Sequence, residues 1–83
     1  MSSQATVRLR FFAGYREVLG MGEITRPLAP GSTAQALWDA LVSEHPDLAQ
    51  WPPSVAVNGE WSAPDAVLAD GDEVAFLPPI AGG

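Results

Sequence analysis

Few residues of this 83-residue chain are equipped for chemistry, and the most suggestive of them lie at its carboxyl end, Pro78-Pro79-Ile80-Ala81-Gly82-Gly83. The terminal group is the α-carboxylate of Gly83, carried on two residues without a Cβ. A free carboxylate is a poor electrophile. It becomes a good one only once a leaving group has been attached to it. Two glycines suit that use: the thread is narrow enough for a buried channel and free in φ and ψ. The six residues 78–83 reach at most about 20 Å when extended. The paired prolines stiffen the root of the tail, which lowers the ordering cost of inserting it into a partner.

The rest of the inventory excludes more than it offers. There is no cysteine, so disulfides, thiolate metal sites and a cysteine nucleophile are ruled out. His45 is the single histidine and belongs at a helix C-terminus, a structural position. Asp70, Asp72 and Glu73 resemble a carboxylate cluster, but Asp-Gly-Asp is the composition of a turn, so no metal site is expected. With no paired histidines and no phosphate-cradling loop, the chain is not expected to be an enzyme on its own. Ten acidic residues against four arginines and no lysine leave a net charge of −6. That balance argues against nucleic acid and against anionic membranes as partners. It also means that no second copy can be joined through a lysine side chain. No apolar run approaches the roughly 20 residues of a membrane helix, and the start lacks the pattern of a secretory signal. A soluble, cytoplasmic protein is expected.

The elements that must position the carboxyl end follow from periodicity. Residues 5–12 alternate: Val7, Leu9 and Phe11 share one face, and Arg8, Arg10 and Phe12 the other. Residues 13–20 carry Tyr15, Val18 and Leu19 at helical spacing, closed by Gly20. Residues 23–28 form a second strand, held to an edge or an end by Pro27. The strongest helix follows the Pro30-Gly31 turn. Ser32 or Thr33 can cap it, Ser32 and Gln35 have capping-box spacing, and Ala34, Leu37, Trp38, Leu41, Val42 and His45 make one stripe. Pro46 ends it. Residues 54–59 read as a strand running into an Asn58-Gly59 turn with residues 60–62 as the return. Glu73 to Leu77 form the last strand, with Val74 and Phe76 on one face and Ala75 and Leu77 on the other.

One helix over a mixed sheet is the simplest way to bury one stripe and one sheet face. The expected class is α+β, a β-grasp, with the last strand parallel to the first at the sheet centre. The expected organisation is one domain over 1–77 and a flexible diglycine tail over 78–83. Phe12 and Leu77 then point away from the core on neighbouring strands, and Trp61 is a candidate to join them. An outward apolar patch on an acidic protein suggests a partner surface.

Four segments, FFAGYREVLG (11–20), STAQALWDAL (32–41), VAVNGEW (55–61) and DGDEVAFLPPIAGG (70–83), together resemble the small subunits of molybdopterin synthase within the ubiquitin-like sulfur-carrier superfamily. The resemblance spans nearly the whole chain. It implies that the carboxylate of Gly83, with Gly82 beside it, is adenylated by an ubiquitin-activating-type partner that uses ATP. A sulfur donor protein then converts it to a thiocarboxylate. It further implies that the tail enters the large synthase subunit of a heterotetramer, where the sulfur builds the dithiolene of molybdopterin. The chain itself would bind no cofactor, and Phe12, Trp61, Leu77, Pro78, Pro79, Ile80 and Ala81 would meet the partner. Arg16 and Glu17 match the family pattern and would either pair locally or meet the activating partner. A sulfur carrier for thiamine or cysteine biosynthesis, or an ubiquitin-like protein modifier, would use the same activated carboxylate.

Overall fold

Alternation becomes structure along β1, Thr6–Phe11, where every second residue is buried and the others are exposed. In the computed structural model, which describes residues 4–78, the elements that follow are α1 (Ala13–Leu19), β2 (Glu23–Pro27), α2 (Ala34–Glu44), a 3-10 helix (Pro46–Gln50), β3 (Ser54–Val57), β4 (Glu60–Ser62) and β5 (Glu73–Leu77). The strands form one sheet in the order β2-β1-β5-β3-β4. The β1 and β5 strands are parallel and central, pairing Arg8 to Phe11 with Glu73 to Phe76. The other pairings are antiparallel. This is the expected β-grasp arrangement, with Pro27 at the end of an edge strand where no ladder donor is missed.

The sheet's inner face and the helices share one core. Val7, Leu9, Phe11, Val55, Val74 and Phe76 come from the strands, and Tyr15, Trp38 and Leu41 from the helices. Phe76 is fully buried; its ring centroid lies 5.9 Å from that of Phe11 and 5.1 Å from that of Trp38. Trp38 in turn stands 4.9 Å from Tyr15. No buried side-chain nitrogen or oxygen among the described residues lacks a hydrogen-bond partner.

Local chemistry differs from the sequence pattern at the ends of α2. Thr33, not Ser32, is the N-cap, and its hydroxyl accepts from the Ala36 amide at 3.1 Å. The Ser32–Gln35 capping box therefore does not form. One residue of displacement puts Ala36 at the N3 position, and Gln35 instead donates to Asp39 one turn on, at 2.9 Å. At the other end His45 lies outside the helix as its C-cap, with φ −134° and ψ 81°. That backbone lies outside the α region, as Pro46 demands of its predecessor. The 3-10 turn that begins at Pro46 was not visible as periodicity, being too short to repeat, yet it buries Leu48 completely.

Two devices hold β5, and with it the root of the C-terminal segment. The β3–β4 hairpin turns through Asn58 and Gly59 at φ 51° and 84°, the left-handed pair that a two-residue hairpin requires. The Asn58 side chain then reaches the 70–72 turn, donating to Asp72 at 2.9 Å and accepting from the Glu73 amide at 3.0 Å. Asp72 also accepts from the Ala69 amide at 2.8 Å. These donors, the Ala69 amide first and Asn58 second, hold the Asp72 carboxyl below its usual range. Asp70 accepts from the Thr6 amide at 2.8 Å, tying the same turn to the start of β1.

Candidate functional site

The register of the sheet lines up one outward residue from every strand. Glu23 pairs with Arg10, Arg10 with Ala75, Ala75 with Ala56, and Ala56 with Trp61. Two alanines in the middle of such a row leave a trough, because their side chains stop at Cβ while the flanking residues stand up. The trough is a groove of about 330 Å³ lined by Arg10, Phe12, Ala56, Gly59, Trp61, Glu73, Ala75 and Leu77. All three apolar residues singled out from the sequence, Phe12, Trp61 and Leu77, thus lie along one concavity.

Each wall has a local cause. Phe12 is the N-cap of α1 with extended backbone (φ −131°, ψ 155°), so it keeps the strand's alternation one residue beyond β1 and faces outward. Ala13 follows at φ 50°, in the left-handed region that costs an alanine roughly 1 kcal/mol. That bend turns the chain off the sheet directly after Phe12. Trp61 stands just past the hairpin turn, 73% exposed. Leu77 is half-buried at the end of β5, and Pro78 after it is also half-buried. The groove therefore runs to the residue from which the tail departs. Residues 79–83, which include Pro79, Ile80, Ala81, Gly82 and Gly83, lie outside the described residues.

Charge lies at one side only. Arg10 sits 3.3 Å from Glu73 and 3.9 Å from Glu23, and its guanidinium carbon is 5.6 Å from the centre of the Phe12 ring. Half-exposed pairs of this kind are worth little in stability, but they fix where the arginine stands. Neither Arg10 nor Glu73, nor the alanine floor, is marked by residue type. Only the cross-strand register, invisible in one sequence, brings them to the groove.

The other candidates resolve as structural. Among the described residues no group of three or more His, Asp or Glu side chains is placed to hold a metal ion. In the acidic 70–73 segment Asp70 accepts from the Thr6 amide, Asp72 from the Ala69 amide and Asn58, and Glu73 pairs with Arg10. Trp38 is core, only 6% exposed. Arg16 and Glu17 line a separate shallow hollow with Ala13, Gly20, Met21 and Gly22, and neither makes an ion pair among the described residues. No helix among the described residues is long and apolar enough to cross a membrane.

A five-stranded mixed sheet clasping α2, with an apolar groove ending at the root of the C-terminal segment, defines a ubiquitin-like β-grasp protein. The chain belongs to the ThiS family, whose sequence model matches residues 9–83. It is 34% identical over 84 residues to the molybdopterin synthase sulfur carrier subunit of Arabidopsis thaliana, covering 99% of this chain and 88% of that one. Among solved structures it is similar to small archaeal modifier protein 1 of Haloferax volcanii, with a TM-score of 0.80 and 30% identity over 92% of this chain and 99% of that one. It is also similar to a chain in the complex of subunits 1 and 2 of the molybdopterin-converting factor from Helicobacter pylori. There the TM-score is 0.61 and the identity 25%, over 94% of this chain and 99% of that one.

Proposed function

We propose that this chain is the sulfur carrier of a molybdopterin synthase, with the carboxylate of Gly83 as its working group. An ubiquitin-activating-type partner directs that carboxylate onto the α-phosphate of ATP, releasing pyrophosphate and leaving an acyl adenylate. A sulfur nucleophile, equivalent to hydrosulfide and supplied by a sulfur donor protein, attacks the acyl carbon and displaces AMP. The product is a thiocarboxylate. The tail, with Gly82 giving it a narrow profile, then delivers the sulfur inside the large synthase subunit to a pyranopterin precursor, building a dithiolene. The chain supplies no catalytic side chain and binds no cofactor; it presents the terminus and docks, in the cytoplasm, through Phe12, Trp61, Leu77 and the segment Pro78, Pro79, Ile80 and Ala81.

The observation that carries this reading is the groove. An apolar concavity that ends where the tail begins gives a partner a surface to hold while the terminus reaches its active site. The relatives' own names supply the chemistry: the Arabidopsis relative is a molybdopterin synthase sulfur carrier subunit, and the Helicobacter structure is a complex of two subunits.

The test is mass spectrometry of protein terminating at Gly83 after incubation with ATP, the activating partner and a sulfur source. One oxygen-to-sulfur exchange is expected, and deletion of Gly83 should abolish it with the fold intact. A sulfur adduct that persists after the deletion would remove Gly83 from the mechanism. Similarity to a small archaeal modifier protein favours one alternative, conjugation of the same activated carboxylate to lysines of other proteins. Branched peptides carrying Gly82-Gly83 on other proteins would establish it; a free thiocarboxylate with none would not.

A further inference from the structure

The charge on the groove's face is arranged differently from that on the rest of the molecule. The chain has four arginines against ten acidic residues. Two of the four, Arg8 and Arg10, are exposed on the outward face of β1, alternating up to Phe12. Arg26, by contrast, points to the helix side, where it pairs with Glu44 at 3.0 Å. Arg10 is engaged by Glu23 and Glu73. Arg8 stands across from Thr25 on β2 and Glu73 on β5, yet among the described residues no carboxylate lies within ion-pairing distance of it. Arg16 is also without an ion pair among the described residues, but it lines the separate hollow beside α1, so Arg8 is the one such arginine on the groove's face.

We infer that Arg8 and Arg10 form the charged half of the docking surface and receive a carboxylate of the large subunit, while Phe12, Trp61 and Leu77 receive its apolar anchor. This rests on the docking role proposed above. The strand sets the spacing: Arg8 and Phe12 are four residues apart on one face, about 13 Å along β1. The partner must therefore present an acidic group about that far from its apolar anchor. The arrangement also solves a problem that net charge creates. An acidic protein approaching a carboxylate-bearing partner is repelled, and the guanidinium of Arg8 sets a positive charge at the contact against that repulsion. Because Arg8 has no ion pair among the described residues to surrender, the new interaction displaces none of those described. Arg10 holds the guanidinium beside Phe12 and so aligns the charged and apolar halves.

The test measures association with a molybdopterin synthase large subunit, by rapid mixing, as ionic strength is raised. Charges at the rim of an interface act mainly on the association rate, and screening removes their effect. Arg8→Glu should slow association about tenfold at low salt, with the difference vanishing toward 1 M salt, where the Debye length is about 3 Å. Arg10→Met, which keeps the stem and loses the charge, should show a smaller loss of the same kind. Leu77→Asp should instead speed dissociation at every salt concentration. Unfolding midpoints of both arginine variants should match the parent, which separates docking from folding. If Arg8→Glu and Arg10→Met bind with parental rates and salt dependence while Leu77→Asp fails, the charged half is wrong and the sulfur-carrier reading stands. If the parent chain does not bind the large subunit at all, both fall.

Discussion

The two faces of the central strands are made by neighbouring residues and obey different rules. Inward, Phe11, Val74 and Phe76 are all but completely buried, with the Phe76 ring stacked on Phe11 and tilted against Trp38. Outward, the same strands carry Arg10, Ala75 and Leu77, with Trp61 standing 73% exposed where Trp38 is 6% exposed. Two tryptophans in one small protein thus have opposite assignments: one fills the core and one is left uncovered. Burying apolar area stabilises by about 25 cal/mol per Å², and the outward face forgoes that gain in the isolated chain. Its apolar residues make physical sense when a partner completes the burial.

The sharpest way to break the contrast is on the inner face. Phe76→Ala removes a ring that touches both Phe11 and Trp38, so it should cost about 3–5 kcal/mol. That is a large part of the 5–15 kcal/mol typical of small domains. Urea unfolding measures it as a lower midpoint. A loss below about 1 kcal/mol would mean that the core lies elsewhere.

One residue along, the expected effect moves from folding to binding. Leu77→Asp or Phe12→Asp should weaken the complex with the large subunit by more than about 2 kcal/mol, the scale of an interface hot spot. Circular dichroism and the unfolding midpoint should stay close to the parent, because both residues face away from the core. Titration calorimetry reads the affinity. If either substitution unfolds the protein, the division between the two faces is not the one described above.

Much of this division was legible in the sequence because β-strands alternate with a fixed period. Assigning Val74 and Phe76 inward places Ala75 and Leu77 outward, and the parallel pairing of β1 with β5 follows from the β-grasp order. What escaped was whatever depends on register or on very short elements. Arg10 and Glu73 read as ordinary solvated charges until the register brings them to the rim of the groove. Ala56 and Ala75 become a floor only because they pair across β3 and β5. The buried Leu48 sits on a five-residue 3-10 turn with no repeat to detect. The capping box at Ser32 failed by one residue, since both Ser32 and Thr33 are suitable caps and only the chain's path after Gly31 chooses between them.

The smallest effect is expected inside the core, at Tyr15 of α1. Its ring is fully buried beside Trp38, while its hydroxyl donates to the carbonyl of Trp51, joining α1 to the loop before β3. Removing that hydroxyl in Tyr15→Phe keeps the packing and leaves the carbonyl without its donor, which should cost about 1 kcal/mol. The pH dependence has a definite sign. Burial pushes the Tyr15 hydroxyl up to about 12 from its ordinary value of 10.0. The folded state therefore holds this proton more tightly than the unfolded chain does. The resulting stabilisation is complete below pH 10 and is lost as the pH rises from there through about 12. Tyr15 is the only tyrosine, so tyrosinate absorbance reports its ionisation without interference. The parent's advantage over Tyr15→Phe at neutral pH should shrink and then reverse across that alkaline interval, because only the parent has a proton to lose. Curves that stay parallel, or tyrosinate absorbance rising with a midpoint near 10, would place the hydroxyl in water and dissolve the link between α1 and Trp51.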